Sequence, residues 1–310
     1  MSQNGVTPCD GKWIKGVHPE EPLLGAARRI LDARLKAVCR QLPLAAEQPE
    51  EDVEYVHQLR VASRRAGEAV RIFSDLIPAP AYQDIRAKLR QVRLAANEAR
   101  NLDVLCGRML RSMEAESGSC GVEVLESVKR RREQAQQPIV EVHQQLLAEK
   151  LEDRIDEMLE GLRSQRKGKA RRRFDKQAPR YLKPSLAKFF KAAAADLSSA
   201  EAFHDLRIRG KKLRYTMEIV AAAFAPGFRK KLYPKLVSLQ DVMGAVNDHA
   251  TAEALFGQWM QESEYAEQRA FFQGMLFAEE KARQDLRQAF LVIWTPKTVA
   301  KLRRQFEKYI

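Results

Sequence analysis

Two stretches of this chain match each other at a fixed distance. Residues 56–73 read VHQLRVASRRAGEAVRIF and residues 203–220 read FHDLRIRGKKLRYTMEIV. At an offset of 147 positions His57 meets His204, Leu59 meets Leu206, Arg60 meets Arg207 and Val61 meets Ile208. Arg64 and Arg65 meet Lys211 and Lys212, and Ile72 meets Ile219. The offset carries on without a gap to Asn101 and Asp248, and to Leu105 and Ala252. A constant offset over about 50 residues marks duplication of one supersecondary unit. We therefore expect two halves of like fold: an N-terminal arm over 1–21, a first repeat over 22–162 and a second over 163–310.

Both copies read as helix. Gly and Pro number only 15 and 13 in 310 residues, which favours long helices over many short strands. Leu23, Leu24, Ala27, Ile30, Leu31, Leu35 and Val38 recur at helical spacing after Pro22, and the pattern stops at 43–51. A second helix is expected over 53–73 with Asp52 as its N-cap, ended by Pro78 and Pro80. A third follows over 82–113, then a charged stretch over 122–162 interrupted at Pro138. Beyond a basic run at 163–173, helices resume after Pro184 over 185–197, 201–225, 228–260 and 265–293. Ser198 and Glu201 fit a capping box, and Thr295-Pro296 opens a last short helix. Long helices with short connections pack as antiparallel bundles.

The charges take sides. At 100° per residue, Leu59, Ala62, Ala66, Ala69, Val70 and Phe73 share one face of the helix that carries His57. His57, Arg60, Arg64 and Arg71 lie opposite, within an arc of about 60° to 80°. In the second copy Leu206, Leu213, Met217 and Val220 form the core side. His204, Arg207, Lys211 and Arg214 form the stripe. In the third helix Arg86, Arg90, Arg93 and Arg100 share a face with Asn97, where the second copy has Tyr233, Val237, Gln240 and Asn247. Like charges stacked on one face cost a few tenths of a kcal/mol per pair. Glu68 and Glu218 are the main acids nearby, so an external anion is the expected partner. Two His at equivalent repeat positions suit hydrogen bonding to phosphate oxygen better than metal ligation, because their neighbours are cationic.

The formal net charge of +13 points the same way, towards nucleic acid, polyphosphate or another anionic partner. The four cysteines, Cys9, Cys39, Cys106 and Cys120, form no CxxC pair and no disulfide framework. The polar opening of the chain is not a signal peptide. No apolar run approaches the roughly 20 residues that span a bilayer, so a cytoplasmic location without membrane contact is expected. No P-loop, clustered carboxylate set or nucleophile–base pair stands out, so a binding protein without cofactor or metal is expected rather than an enzyme. Two alternatives remain: an RNA- or DNA-binding protein using the same basic surface, and a phosphohydrolase or other phosphate-handling enzyme. Against the first, the stripes hold no Trp or Phe on which bases could stack, and Tyr215 is the one nearby aromatic.

The paired His-x-Leu-Arg segments, with RNLDVL at 100–105 and LQDVMGAVNDH at 239–249, resemble the CHAD family of conserved histidine α-helical domains. The resemblance runs from about Pro22 to the C-terminus. It implies an all-α fold of two pseudo-symmetric four-helix bundles with a basic groove between them. It also implies non-catalytic binding of inorganic polyphosphate and association with polyphosphate granules. On the matching positions it places His57, Arg60, Arg64, Arg65, Arg90, Arg93, Arg100, His204, Arg207, Lys211, Lys212 and Arg214 in the binding surface. Asp103 and Asp248 are expected to be structural partners of arginines. This chain departs from the pattern at Ala66-Gly67, where similar sequences often carry Leu-Arg.

Overall fold

Eleven α-helices follow one another among the described residues: α1 (Leu23–Glu47), α2 (Glu54–Ile72), α3 (Ala79–Ala115), α4 (Cys120–Gln134), α5 (Gln137–Ala148), α6 (Leu151–Ser164), α7 (Phe174–Ala193), α8 (Ala200–Val220), α9 (Tyr233–Trp259), α10 (Arg269–Ile293) and α11 (Pro296–Glu307). The computed structural model describes residues 11–115, 120–164, 171–262 and 266–310. Among them there is no β-strand, and the fold is all-α. Most of the basic run at 163–173, the glycine break near 118 and the expected helix start at 265 lie outside the described residues.

The contacts divide the chain into two compact units, neither continuous in sequence. The first holds residues 1–100, 135–184 and 215–228, and the second holds 101–134, 185–214 and 229–310.

In the first unit α1 packs on α2, α5 and α6. Its buried face is the row Leu23, Ala26, Ala27, Ile30, Leu31, Leu35, Val38, Leu42 and Ala45, the 3.6-residue period read from sequence. Burying each Leu, Ile or Val of such a row stabilises by about 1.5–3 kcal/mol. The row continues past Pro43, and so does the helix, although a break was expected there. Pro43 lies four residues from the C-terminal end, so it removes little of the hydrogen-bond ladder, while Leu42, Ala45 and Ala46 still reach the core. Core packing alone carries α7 through Pro179 and Pro184, both in its interior, on the buried row Phe174, Ala178, Leu182 and Phe189. Pro80 does not end α2; it sits in the first turn of α3, where its missing N–H costs nothing. Pro138 likewise opens α5.

Residues 11–21 are tied down in this unit. Arg34, 2% exposed, donates to the Lys12 carbonyl at 2.8 Å. The Phe174 amide donates to the Glu21 carbonyl, and Leu23 to that of Arg172, both at 2.8 Å.

In the second unit α9 packs against α10. An aromatic cluster of Phe256, Trp259 and Phe272 joins their ends, and Phe189, Phe290 and Trp294 join α7 to α10. Gly210 of α8 is required by packing. A Cβ there would meet the Gln240 side-chain amide carbon at 3.0 Å and the Phe189 ring at 3.5 Å. The α8 cap differs from the expected box: the Ser199 hydroxyl, not Ser198, accepts from the Ala202 amide. Thr295 caps α11 by accepting from the Thr298 amide.

Candidate functional site

In the first unit the basic faces of α2 and α3 come together. Leu59, Ala62, Ala66, Ala69, Val70 and Phe73 are all buried, which turns the opposite side of α2 towards α3 and solvent. Arg60 reaches across to α3, where its guanidinium donates to the Ala96 carbonyl at 3.3 Å and to the Asn97 side-chain oxygen. Arg64, Arg93 and Arg100 surround it. Burial, then the repulsion of Arg64, Arg100 and Arg93, pushes the Arg60 guanidinium down to about 10. Burial first, then Arg64, Arg90 and Arg86, lowers Arg93. Burial first and then Arg100 lowers the His57 imidazole, with Glu54 pulling the other way. These mutual repulsions identify one cluster of cations: His57, Arg60, Arg64, Arg93 and Arg100, flanked by Arg86 and Arg90.

Little acid answers this charge. The Arg100 guanidinium lies 3.6 Å from the Glu54 carboxylate, itself half exposed. Among the described residues Arg64, Arg86, Arg90 and Arg93 have no carboxylate partner, and Arg86, Arg90 and Arg93 are exposed. Arg86 donates to the Tyr82 hydroxyl at 3.2 Å. Fixed, clustered guanidinium groups of this kind suit the oxygens of a phosphate, which accept two parallel N–H bonds from one Arg.

Two arginines of the stripe are engaged otherwise. The Arg65 Nε donates at 2.7 Å to Glu218, whose side chain is 1% exposed. Arg71 donates through Nε at 2.9 Å and through Nη2 to Glu68, which also accepts from the Thr216 hydroxyl at 2.9 Å. Both acids are buried between α2 and the end of α8.

The second unit carries the other candidates on α8. His204 and Lys212 are exposed, and Lys211 and Arg214 are half-buried. Arg207, expected on an open stripe, is only 8% exposed. Phe203, Leu206, Gly210 and Leu213 are buried beside it, and from Leu213 to Ala221 only Arg214 escapes burial. Asp103 accepts from the Arg132 Nε, as a structural partner should. Asp248 is exposed and meets no arginine among the described residues. Sequence reasoning passed over a further group: Arg108 contacts His249 at 2.9 Å and Glu279, and His249 contacts Glu279 as well. Its members lie 30 and 141 or more residues apart, so no local pattern could reveal it.

Among the described residues no three His, Cys, Asp or Glu side chains converge where a metal ion could sit, and no helix is long and apolar enough to cross a membrane.

The model of the CHAD domain family matches residues 29–257. No curated protein matches the chain. Among solved structures it is similar to the CHAD domain from the plant Ricinus communis, with 22% identity and a TM-score of 0.73, covering 91% of this chain and 95% of that one. It is also similar to PptA from Streptomyces chartreusis, with 16% identity and a TM-score of 0.61, covering 88% of this chain and 99% of that one. A family match over most of its length, together with the shared all-helical fold, makes this chain a member of the CHAD family.

Proposed function

We propose that the protein binds inorganic polyphosphate without turning it over, through the basic faces of α2 and α3 and of α8, and that this binding brings it to polyphosphate granules. The observation that carries the reading is the arginine cluster of the first unit, where burial and then neighbouring cations lower Arg60 and Arg93 and little acid offsets them. A linear phosphate chain has no bases and a high density of charge. It needs neighbouring guanidinium and ammonium groups and no stacking platform. Tyr215, beside the α2 and α8 stripes, is 7% exposed and offers no such platform, and the half-buried Tyr82 ring is already covered by the Arg86 guanidinium. The resemblance to the CHAD family supports the same ligand.

The test is charge reversal at Arg64 and Arg93 together with Lys212, three positions that solvent reaches. Polyphosphate affinity should fall, and the slope of log affinity against log salt should shrink by roughly 0.7 for each lost phosphate contact. A triple variant that binds long-chain polyphosphate as tightly and as salt-dependently as the parent refutes the reading. Competition with RNA at fixed salt separates the nucleic-acid alternative, which predicts RNA as the preferred ligand. Release of phosphate from polyphosphate by pure protein with Mg²⁺ or Mn²⁺ would make it an enzyme.

A further inference from the structure

The C-terminal helix α11 carries a second cationic stripe that the repeat does not contain. Lys297, Lys301, Arg304 and Lys308 follow one another at four, three and four residues. At 100° per residue they lie within an arc of about 60°, along roughly 16 Å of helix. All four are exposed, and none has an ion-pair or hydrogen-bond partner among the described residues. Glu307 is the only acid in the helix. The opposite face is committed to the core: Leu302 and Phe306 are buried, Phe306 packs edge-on against Phe190, and the Arg303 guanidinium lies 4.7 Å above the Phe190 ring. Lys235 of α9 is held at the flank, donating to the Gln305 side chain at 2.9 Å.

This arrangement is costly for the helix alone. Each like-charged pair at i, i+3 or i, i+4 destabilises it, and Lys297 sits in the first turn, where the helix dipole disfavours a cation. The stripe also lies beyond residues 29–257, the part that matches the family. We infer that the outward face of α11, with Lys235 at its edge, is a second polyanion-binding surface that takes a further length of the same polyphosphate chain. The chemistry favours this occupant. Three of the four cations are lysines, which act as point charges and follow any closely charged strand. No exposed aromatic lies among them for a base to stack on. The apolar side of the helix is buried and cannot enter a bilayer. A chain long enough to reach both surfaces binds the second at high effective concentration, so affinity should climb with chain length.

The inference rests on the polyphosphate reading, and the experiment separates the two. The variant K297Q/K301Q/R304Q/K308Q removes only exposed charge; an unchanged or raised thermal midpoint shows that it folds. Binding of tripolyphosphate, which has only three phosphates to share among contacts, is compared with binding of long-chain polyphosphate across a salt series. The expected result is a loss of tenfold or more for the long chain only, with its salt slope reduced by about 3 for four contacts at roughly 0.7 each. Equal long-chain affinity and slope in variant and parent overturn the second surface and leave the primary reading intact. An equal loss for both lengths overturns it too, because the effect is then not one of reach. Failure of the parent to bind either length overturns both. Vesicles containing phosphatidylserine form the last arm: if the substitutions abolish vesicle binding while long-chain polyphosphate binding stays whole, α11 is a membrane contact and the inference falls.

Discussion

Replacing Arg65 with Ala should damage the fold and leave the ligand's charge count almost untouched. Arg65 matches a basic position of the family, yet its Nε is 2.7 Å from Glu218 and the two side chains are 13% and 1% exposed. Removing one partner of a buried pair strands the other charge in a medium that solvates it poorly, at a cost of about 3–5 kcal/mol. The lower end applies here, because Glu218 has interactions besides its pair with Arg65. At roughly 2 °C per kcal/mol for a chain this long, R65A should lower the thermal midpoint by about 6 °C. Adding Glu218→Gln neutralises the stranded carboxylate and should restore most of that loss. The salt slope of polyphosphate binding should stay within experimental scatter of the parent. A variant as stable as the parent but with a slope reduced by about 0.7 would mean that Arg65 serves the ligand, and the structural account would be refuted.

Arg93 and Arg71 should differ in the same assay. Arg93 has no acid partner whereas Arg71 is held by Glu68, so R93Q should reduce the salt slope and R71Q should not. Gly210→Ala should cost about 1–3 kcal/mol, read as a fall in denaturation midpoint, because the added methyl meets Gln240 and Phe189. Gly67→Ala should do the opposite and stabilise by about 0.5–1 kcal/mol, since a Cβ there meets nothing and the helix interior gains a better former. His57 gives a pH dependence. Its folded pKa is depressed, so its share of stability is present above about pH 6.5 and is lost as pH falls through the folded value. A bound anion offsets the arginines and raises that pKa, so polyphosphate affinity should rise as pH drops below about 6.5. Isotherms across that range should flatten in H57Q.

Most of the helices could be read from sequence because their core faces keep a strict period. The errors fall at prolines. Pro43 read as a break and the helices were expected to resume only after Pro184, yet the buried row of each helix carries on beyond the proline, and packing of that row outweighs a single missing amide. The basic faces of α2 and α3 were equally plain, since Leu59 to Phe73 fix which way Arg60 and Arg64 point. What the pattern left out is the identity of partners. Arg65 and Glu218 are 153 positions apart, and Glu68 and Thr216 are 148 apart, so a single helix wheel shows unanswered charge where the folded chain supplies an acid.

That omission has its own logic in the internal sequence match. At the repeat offset Glu68 faces Tyr215 and Arg71 faces Glu218, so each copy has kept an acid where the other has none. Within the first unit these two acids meet α2 and the end of α8 together: Glu218 takes Arg65, and Glu68 takes Arg71 and Thr216. Had both copies retained the same residues, the contact would set like charges or like neutrals against each other. At these few positions the two matching segments differ, and the differing residues form a complementary, buried junction that engages Arg65 and Arg71. The cations left over, Arg64, Arg86, Arg90 and Arg93, have no carboxylate partner among the described residues. Their clustering without acids among the described residues, where burial and then the neighbouring arginines lower Arg93, is what the proposed polyanion would answer.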